Sequence, residues 1–198
     1  MRPPSLLATF QPSGWTKPMD EAITHWLNAA AGSSEILDTV MIAVTKLGVP
    51  LVVLCVIMQW WSKKDRLHVR HTSVAAGISF LIGLGVNQII LLFVHRVRPY
   101  DAGVSHLIIA QSSDWSFPSD HATASFAIAA TFALHTLPRR ATVFLLIAIL
   151  IACSRIFVGT HYLTDVLGGA LTGVCAAVMV RALYREGSRL DRFVTGIF

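Results

Sequence analysis

The sequence predicts an all-α, polytopic integral-membrane protein. About five transmembrane helices form a bundle, with an N-terminal interfacial helix that makes a sixth span if it crosses. Three observations predict this. Of the 198 residues, 54% are hydrophobic and only 14% charged, and the mean hydropathy is +0.62, too apolar for an ordinary soluble domain. Apolar runs of roughly 18 or more residues recur along the chain. The basic residues collect in alternate connections, as membrane topology requires. The length suits one domain over residues 1–198. A net charge of +5 would admit nucleic acid, but its distribution follows topology, and no nucleic-acid partner is expected.

Residues 1–17 read as an irregular tail, with Trp15 beside Lys17 suited to a membrane interface. The first thirty residues contain Pro3, Pro4, Pro12 and Pro18 and no continuous apolar core of a signal peptide. Pro18 to about Ala31 reads as a short helix, with Asp20 and Glu21 favourable at its start. Its Ile23, Trp26 and Leu27 share a side, so it is expected to lie in the interface. The first span runs from about Ile36 to Trp61 and carries Lys46, an expensive charge there. It is either functional or buried by neighbouring helices or water. A basic loop follows with Lys63, Lys64, Arg66 and Arg70.

The second span covers about Thr72 to Val94. Gly77, Gly83 and Gly85 suit close helix packing, and Asn87 and Gln88 are expected to face protein. It ends in His95-Arg96-Val97-Arg98-Pro99. The longest inter-span loop, residues 100–117, leads into Trp115-Ser116-Phe117-Pro118-Ser119-Asp120-His121. There Pro118 and Ser119 signal a helix start that Ser119 or Asp120 caps. The third span continues to about Leu137. After the basic turn Pro138-Arg139-Arg140, the fourth covers about Ala141 to Val158 and is broken by Gly159. The fifth runs from about His161 to Leu183, with Gly168, Gly169 and Gly173 as packing sites, before a polar, basic tail. Cys55, Cys153 and Cys175 lie in apolar runs without metal-ligand spacing and read as small packing residues.

Alternating sides put the 62–71 loop, the 138–140 turn and the C-terminal tail together. They hold Lys63, Lys64, Arg66, Arg70, Arg139, Arg140, Arg181, Arg185, Arg189 and Arg192. The positive-inside rule assigns that side, with the C-terminus, to the cytoplasm. The protein is then a multi-pass protein of the plasma (inner) membrane. The end of span two, the start of span three and the junction of spans four and five face the exterior or periplasm, where three polar clusters can meet in one pocket.

The converging groups are Arg98, Ser119, Asp120, His121, Arg155, His161 and Asp165. His161 and Asp165 stand four apart, so on a helix they share a face. The carboxylate then takes the proton of one imidazole nitrogen and leaves the other free as nucleophile or base. Two arginines, a serine hydroxyl and helix N-terminal amides suit a phosphate. In a phosphoryl transfer, His161 oriented by Asp165 attacks phosphorus and His121 protonates the leaving oxygen. Arg98 and Arg155 stabilise the equatorial oxygens. Zinc on His121, His161 and Asp165 is the rival, though two arginines would repel a cation. A serine hydrolase built on Ser119 lacks nucleophile-elbow spacing. A transporter would account for intramembrane polar residues, but less well for their gathering at one edge.

At these residues the chain resembles the type 2 phosphatidic acid phosphatase (PAP2) superfamily, whose pattern is K-x6-R-P, P-S-G-H and S-R-x5-H-x3-D. The third motif is complete as Ser154-Arg155, His161 and Asp165. The second reads Pro118-Ser119-Asp120-His121, with Asp for Gly. The first keeps Arg98-Pro99 but has Leu91 in the lysine position, for which Arg96, His95 or Lys46 is a candidate replacement. The resemblance implies a phosphohistidine at His161, Asp165 as its orienting partner and His121 as general acid. It implies phosphate binding by Arg98, Ser119 and Arg155, with Asp120 in the same substrate-binding set, and no metal or other cofactor. The chain looks most like the bacitracin-resistance-type undecaprenyl pyrophosphate phosphatases. The implied partners are a lipid pyrophosphate or phosphate substrate and the bilayer. Phosphatidylglycerophosphate, phosphatidate or a lipid A phosphate are the alternative substrates. A non-catalytic transporter or scaffold with a degenerate site is the alternative from another class.

Overall fold

A computed structural model describes residues 18–197, so the expected tail with Trp15 and Lys17 lies outside the described residues. Among the described residues the chain is helical and has no strand. The elements are α1 (Pro18–Asn28), α2 (Glu35–Met58, continued by the 3-10 turn Gln59–Trp61), α3 (Arg66–Leu91), α4 (Asp120–Leu134), α5 (Pro138–Phe157), α6 (Leu163–Leu183) and α7 (Arg189–Thr195). Helices α2, α3, α5 and α6 are long and apolar enough to cross a bilayer. Their outer faces carry exposed side chains such as Leu47, Leu51 and Leu54 on α2, Leu146 and Leu150 on α5, and Leu167 and Leu171 on α6. So much exposed apolar surface on long helices marks contact with lipid.

The expected third span is the bundle's centre. At 15 residues, α4 is about 22 Å long, short of the roughly 30 Å hydrocarbon core. It needs no lipid-facing length, because α3, α5 and α6 pack around it. Ala122, Ala124, Ala127, Ile128 and Phe132 are all buried, and its many alanines let neighbouring backbones approach. A second cluster fills the space toward α2, where Val52, Val56, Ala148 and Ile151 pack with Ile128, Phe132 and Phe144. Across α6, a Cβ at Gly169 would strike the carbonyl of Ser119, and one at Gly173 would strike the carbonyl of Thr123. Only glycine permits that crossing, which fixes α6 against the start of α4.

Several expectations change. Helix α1 buries its polar stripe, Asp20, Thr24 and Asn28, and leaves Trp26 73% exposed. The polar side of this amphipathic helix thus faces the protein, and Trp26 faces outward. Gln88 is exposed while Asn87 is fully buried. Of the glycines on α3, only Gly83 meets a neighbour, Thr123; Gly77 and Gly85 face open space. All three cysteines are exposed rather than packed, and Lys46 is exposed rather than buried.

Helix α3 starts at Arg66, six residues before the expected Thr72, because its polar first turns are paired. His71 donates from Nδ1 to Asp191 of α7 at 2.8 Å, and Arg70 donates to the carbonyls of Trp60 and Thr195. The C-terminal tail is thus ordered as a docked helix. Burial pushes the Asp191 carboxyl up. Hydrogen bonds from Tyr184, the Gly187 amide and His71 outweigh that and hold it below the usual carboxylate range.

Candidate active site

The five residues between α5 and α6 form the centre of the site. Gly159 turns the chain with φ +84°, and a side chain there would run into the backbone of His106. The amide and hydroxyl of Thr160 close the turn on the Arg155 carbonyl at 3.1 and 2.9 Å. His161 therefore precedes α6 instead of lying on it, and the expected shared helical face with Asp165 does not form. Nδ1 of His161 lies 2.8 Å from the carbonyl of Ser116 and 3.6 Å from Oδ2 of Asp165. Its proton goes to a backbone oxygen, with the carboxylate close behind. Nε2 keeps its lone pair and lies 3.5 Å from Nη1 of Arg98.

His161 is 3% exposed. Burial lowers its pKa below the ordinary 6.5; the nearby Asp165 carboxylate opposes this, while Arg155 and Arg98 add to it. The imidazole is thereby held neutral near pH 7.

Asp165 is buried and fully engaged. Its Oδ2 accepts from the Tyr162 amide at 2.9 Å and the Ser116 hydroxyl at 2.5 Å, and its Oδ1 accepts from Nη1 of Arg96 at 2.6 Å. Arg96 was a candidate replacement for the lysine missing at Leu91. It is committed to carboxylates instead, since Nη2 donates to Asp20 at 2.7 Å. The other two candidates turn elsewhere: His95 is exposed and stacks on Trp115, and Lys46 is exposed on α2.

Arg98 donates from Nη1 to the Thr160 carbonyl at 2.9 Å and from Nη2 to Asp114 at 2.8 Å. It ties the 100–117 loop to the turn that carries His161. Arg155 ends α5, buried, with no hydrogen-bond partner for Nε among the described residues. Ser119 stands at the N-cap of α4, but its hydroxyl caps nothing and is likewise buried without a partner. Its amide bonds to the Asp165 carbonyl at 3.0 Å, locking α4 to α6. Asp120 accepts from Asn87 of α3 at 2.7 Å. His121, one residue on, lies near the backbone of Thr45 and in the field of Arg155, His161 and Arg98. All seven expected residues thus come to one end of the bundle.

Sequence reasoning missed Ser116, whose carbonyl and hydroxyl touch both His161 and Asp165, and Asp20. The repeat of polar residues at 20, 24 and 28 was a usable signal for Asp20: it places that residue on one polar helical stripe.

Residues 71–189 match the PAP2 superfamily. The chain is 29% identical over 158 residues to the undecaprenyl-diphosphatase BcrC of Bacillus subtilis, covering 79% of each chain. It is 26% identical over 161 residues to the putative undecaprenyl-diphosphatase YbjG of Escherichia coli, covering 80% of this chain and 79% of that one. In three dimensions it is similar to a transmembrane PAP2-type phosphatidylglycerolphosphate phosphatase from Bacillus subtilis. That match has a TM-score of 0.63 at 25% identity and covers 86% of this chain and 87% of the other. The helices, the three motif clusters and these likenesses agree on a membrane-embedded hydrolase of lipid phosphates: the chain belongs to the PAP2 superfamily.

Proposed function

We propose that this enzyme removes the terminal phosphate of undecaprenyl pyrophosphate at the outer face of the membrane. The observation that carries the reading is the neutral His161, with its Nε2 lone pair beside Arg98 and with unpartnered polar atoms of Ser119 and Arg155 buried at the same end. Buried donors without partners are costly, and a phosphate would satisfy them. In this reading Nε2 of His161 attacks the terminal phosphorus. The bond from that phosphorus to the bridging oxygen breaks, and His121 gives its proton to the departing undecaprenyl phosphate. Negative charge on the bound substrate favours the imidazolium form of His121 that this requires. Water then attacks the phosphohistidine, with His121 as base, and releases phosphate. Arg98, Arg155 and Ser119 hold the oxygens throughout. Asp120, fixed by Asn87, borders this group.

Two further observations support the substrate and the face. Relatives that match most of the chain are named for the pyrophosphate carrier. The basic connections lie at the other end of the bundle, where Arg140 bonds to Ser62 and Arg181 to the Leu134 carbonyl. The positive-inside rule then leaves the site outside. A second reading keeps the chemistry and takes phosphatidylglycerophosphate, favoured by the similar solved phosphatase.

The test is phosphate release by purified protein in detergent with EDTA, on undecaprenyl pyrophosphate, phosphatidylglycerophosphate and phosphatidate. EDTA-resistant release, fastest on the polyprenyl substrate and reduced to background in His161→Ala, is expected. Preference for a glycerolipid would replace the substrate and keep the mechanism. Full activity in His161→Ala would overturn the mechanism.

A further inference from the structure

We propose that Asp20 of α1 is a positioning residue for this reaction: it shares Arg96 with Asp165 and so sets how far the carboxylate that supports His161 is neutralised. The inference rests on the reading of His161 and Asp165 given above. It assigns a role to an element outside the stretch 71–189 that matches the superfamily.

The geometry is a chain of buried charges. Arg96 is 7% exposed and Asp20 5%. The guanidinium bridges two carboxylates, Asp20 at 2.7 Å and Asp165 at 2.6 Å. Thr164 fills the fork. Its hydroxyl lies 2.6 Å from both Arg96 and Asp20, and its amide donates to the other oxygen of Asp20 at 3.0 Å. The guanidinium carbon stands 3.9 Å over the ring of Tyr162, the neighbour of His161. Nothing in this chain of contacts reaches the phosphate-binding atoms. Asp20 reaches Asp165 through Arg96 and through Thr164, which Arg96 also holds.

Physical chemistry gives the link a direction. A buried guanidinium between two carboxylates divides its attraction between them. With Asp20 neutral, the whole charge falls on Asp165. That carboxylate already serves Ser116 and Tyr162 and lies 3.6 Å from Nδ1 of His161. A more strongly neutralised Asp165 gives less support to the positive charge that grows on the imidazole as Nε2 bonds to phosphorus. Turnover falls, while substrate binding, which uses Arg98, Arg155 and Ser119, does not.

The rest of α1 separates this role from simple docking. Thr24 accepts from the Leu163 amide at 3.1 Å, and Asn28 donates to the carbonyls of Phe157 and His106. These bonds also seat α1 on α6 and the site loops, but touch neither Arg96 nor Asp165.

The experiment measures kcat and KM for phosphate release by the full chain in detergent, with Asp20→Asn, Arg96→Lys, their double variant and Thr24→Val, each checked for a folded, monodisperse state. Asp20→Asn is expected to lower kcat about 10–100-fold with KM within about 2-fold, and the double variant to add little, as for residues acting as a unit. Arg96→Lys keeps the charge but loses the fork that spans two carboxylates, and should give a similar kcat loss. It decides the matter if Asp20→Asn does not fold. Thr24→Val should leave kcat within about 2-fold. Wild-type kcat in Asp20→Asn or Arg96→Lys, additive losses in the double variant, or an equal loss in Thr24→Val would overturn the inference. His161→Ala, run alongside, keeps the two readings apart. Turnover surviving in it would sink the reading of the site itself, whereas an inactive His161→Ala beside an unimpaired Asp20→Asn sinks this inference alone.

Discussion

At the scale of single residues, the proposed attack depends on one available nitrogen. The Ser116 carbonyl accepts a hydrogen bond from Nδ1–H of His161, and Nε2 is left unprotonated beside Arg98. The attack needs the neutral ring, and burial keeps the pKa of His161 below 6.5. The sign is then set: as pH falls, the nucleophile is lost only below 6.5, not at it. The acid limb of kcat/KM that loss of neutral His161 produces, which reports the free enzyme, is therefore expected to have its midpoint below pH 6.5. An acid limb centred above 6.5 would contradict a desolvated His161. The motif residues were legible in sequence because phosphoryl transfer demands particular side chains at particular spacings. The Ser116 carbonyl was not legible, since every residue offers a carbonyl and only the folded loop selects one. Arg96 was legible as a charge but not as to its partner, because Asp20 lies 76 residues away.

At the scale of elements, the position of His121 and Ser119 depends on how closely α6 can lie on α4. Gly173 lies deep in that contact: a Cβ there would strike the Thr123 carbonyl and come within 2.8 Å of the Ala127 amide nitrogen. Gly77, in the first half of α3, has nothing within 4 Å. Gly173→Ala should therefore destabilise by about 1–3 kcal/mol through overpacking, whereas Gly77→Ala should be neutral or stabilising by up to about 1 kcal/mol through helix propensity. Thermal unfolding in detergent checks both, with Tm expected to shift roughly 2–4 °C per kcal/mol for a chain of this size. Equal effects at the two positions would refute the glycine-gated crossing. In the sequence these glycines look alike, as small residues in apolar runs, because helical periodicity does not say which face meets which neighbour. Helix existence was legible from hydropathy. The partners of the polar side of α1 were not, because the groups that Asp20, Thr24 and Asn28 bond to lie far along the chain.

At the scale of the whole molecule, charge and chemistry separate to opposite ends of the bundle. Arg98, His121, Arg155 and His161 gather at one end. Lys63, Lys64, Arg66, Arg70, Arg139 and Arg140 lie in or beside the connections of the other, where α7 also docks through His71 and Asp191. This division was readable from the order of apolar runs alone, because basic residues resist transfer across the membrane whatever the fold inside it. It leads to a topology that can be measured without substrate. Ala102 is exposed in the loop at the site end and Lys64 is exposed in the loop at the basic end. Cys55, Cys153 and Cys175 lie exposed on α2, α5 and α6 and are replaced by alanine first, so that a single introduced thiol reports. In intact cells a membrane-impermeant maleimide should label Ala102→Cys and spare Lys64→Cys; permeabilisation should then expose the second. The reverse pattern would turn the site to the cytoplasm, where a lipid pyrophosphate in the outer leaflet would be out of its reach. The helix bundle and the chemistry proposed at His161 would stand, and the proposed substrate would have to give way to a lipid phosphate presented on the inner leaflet.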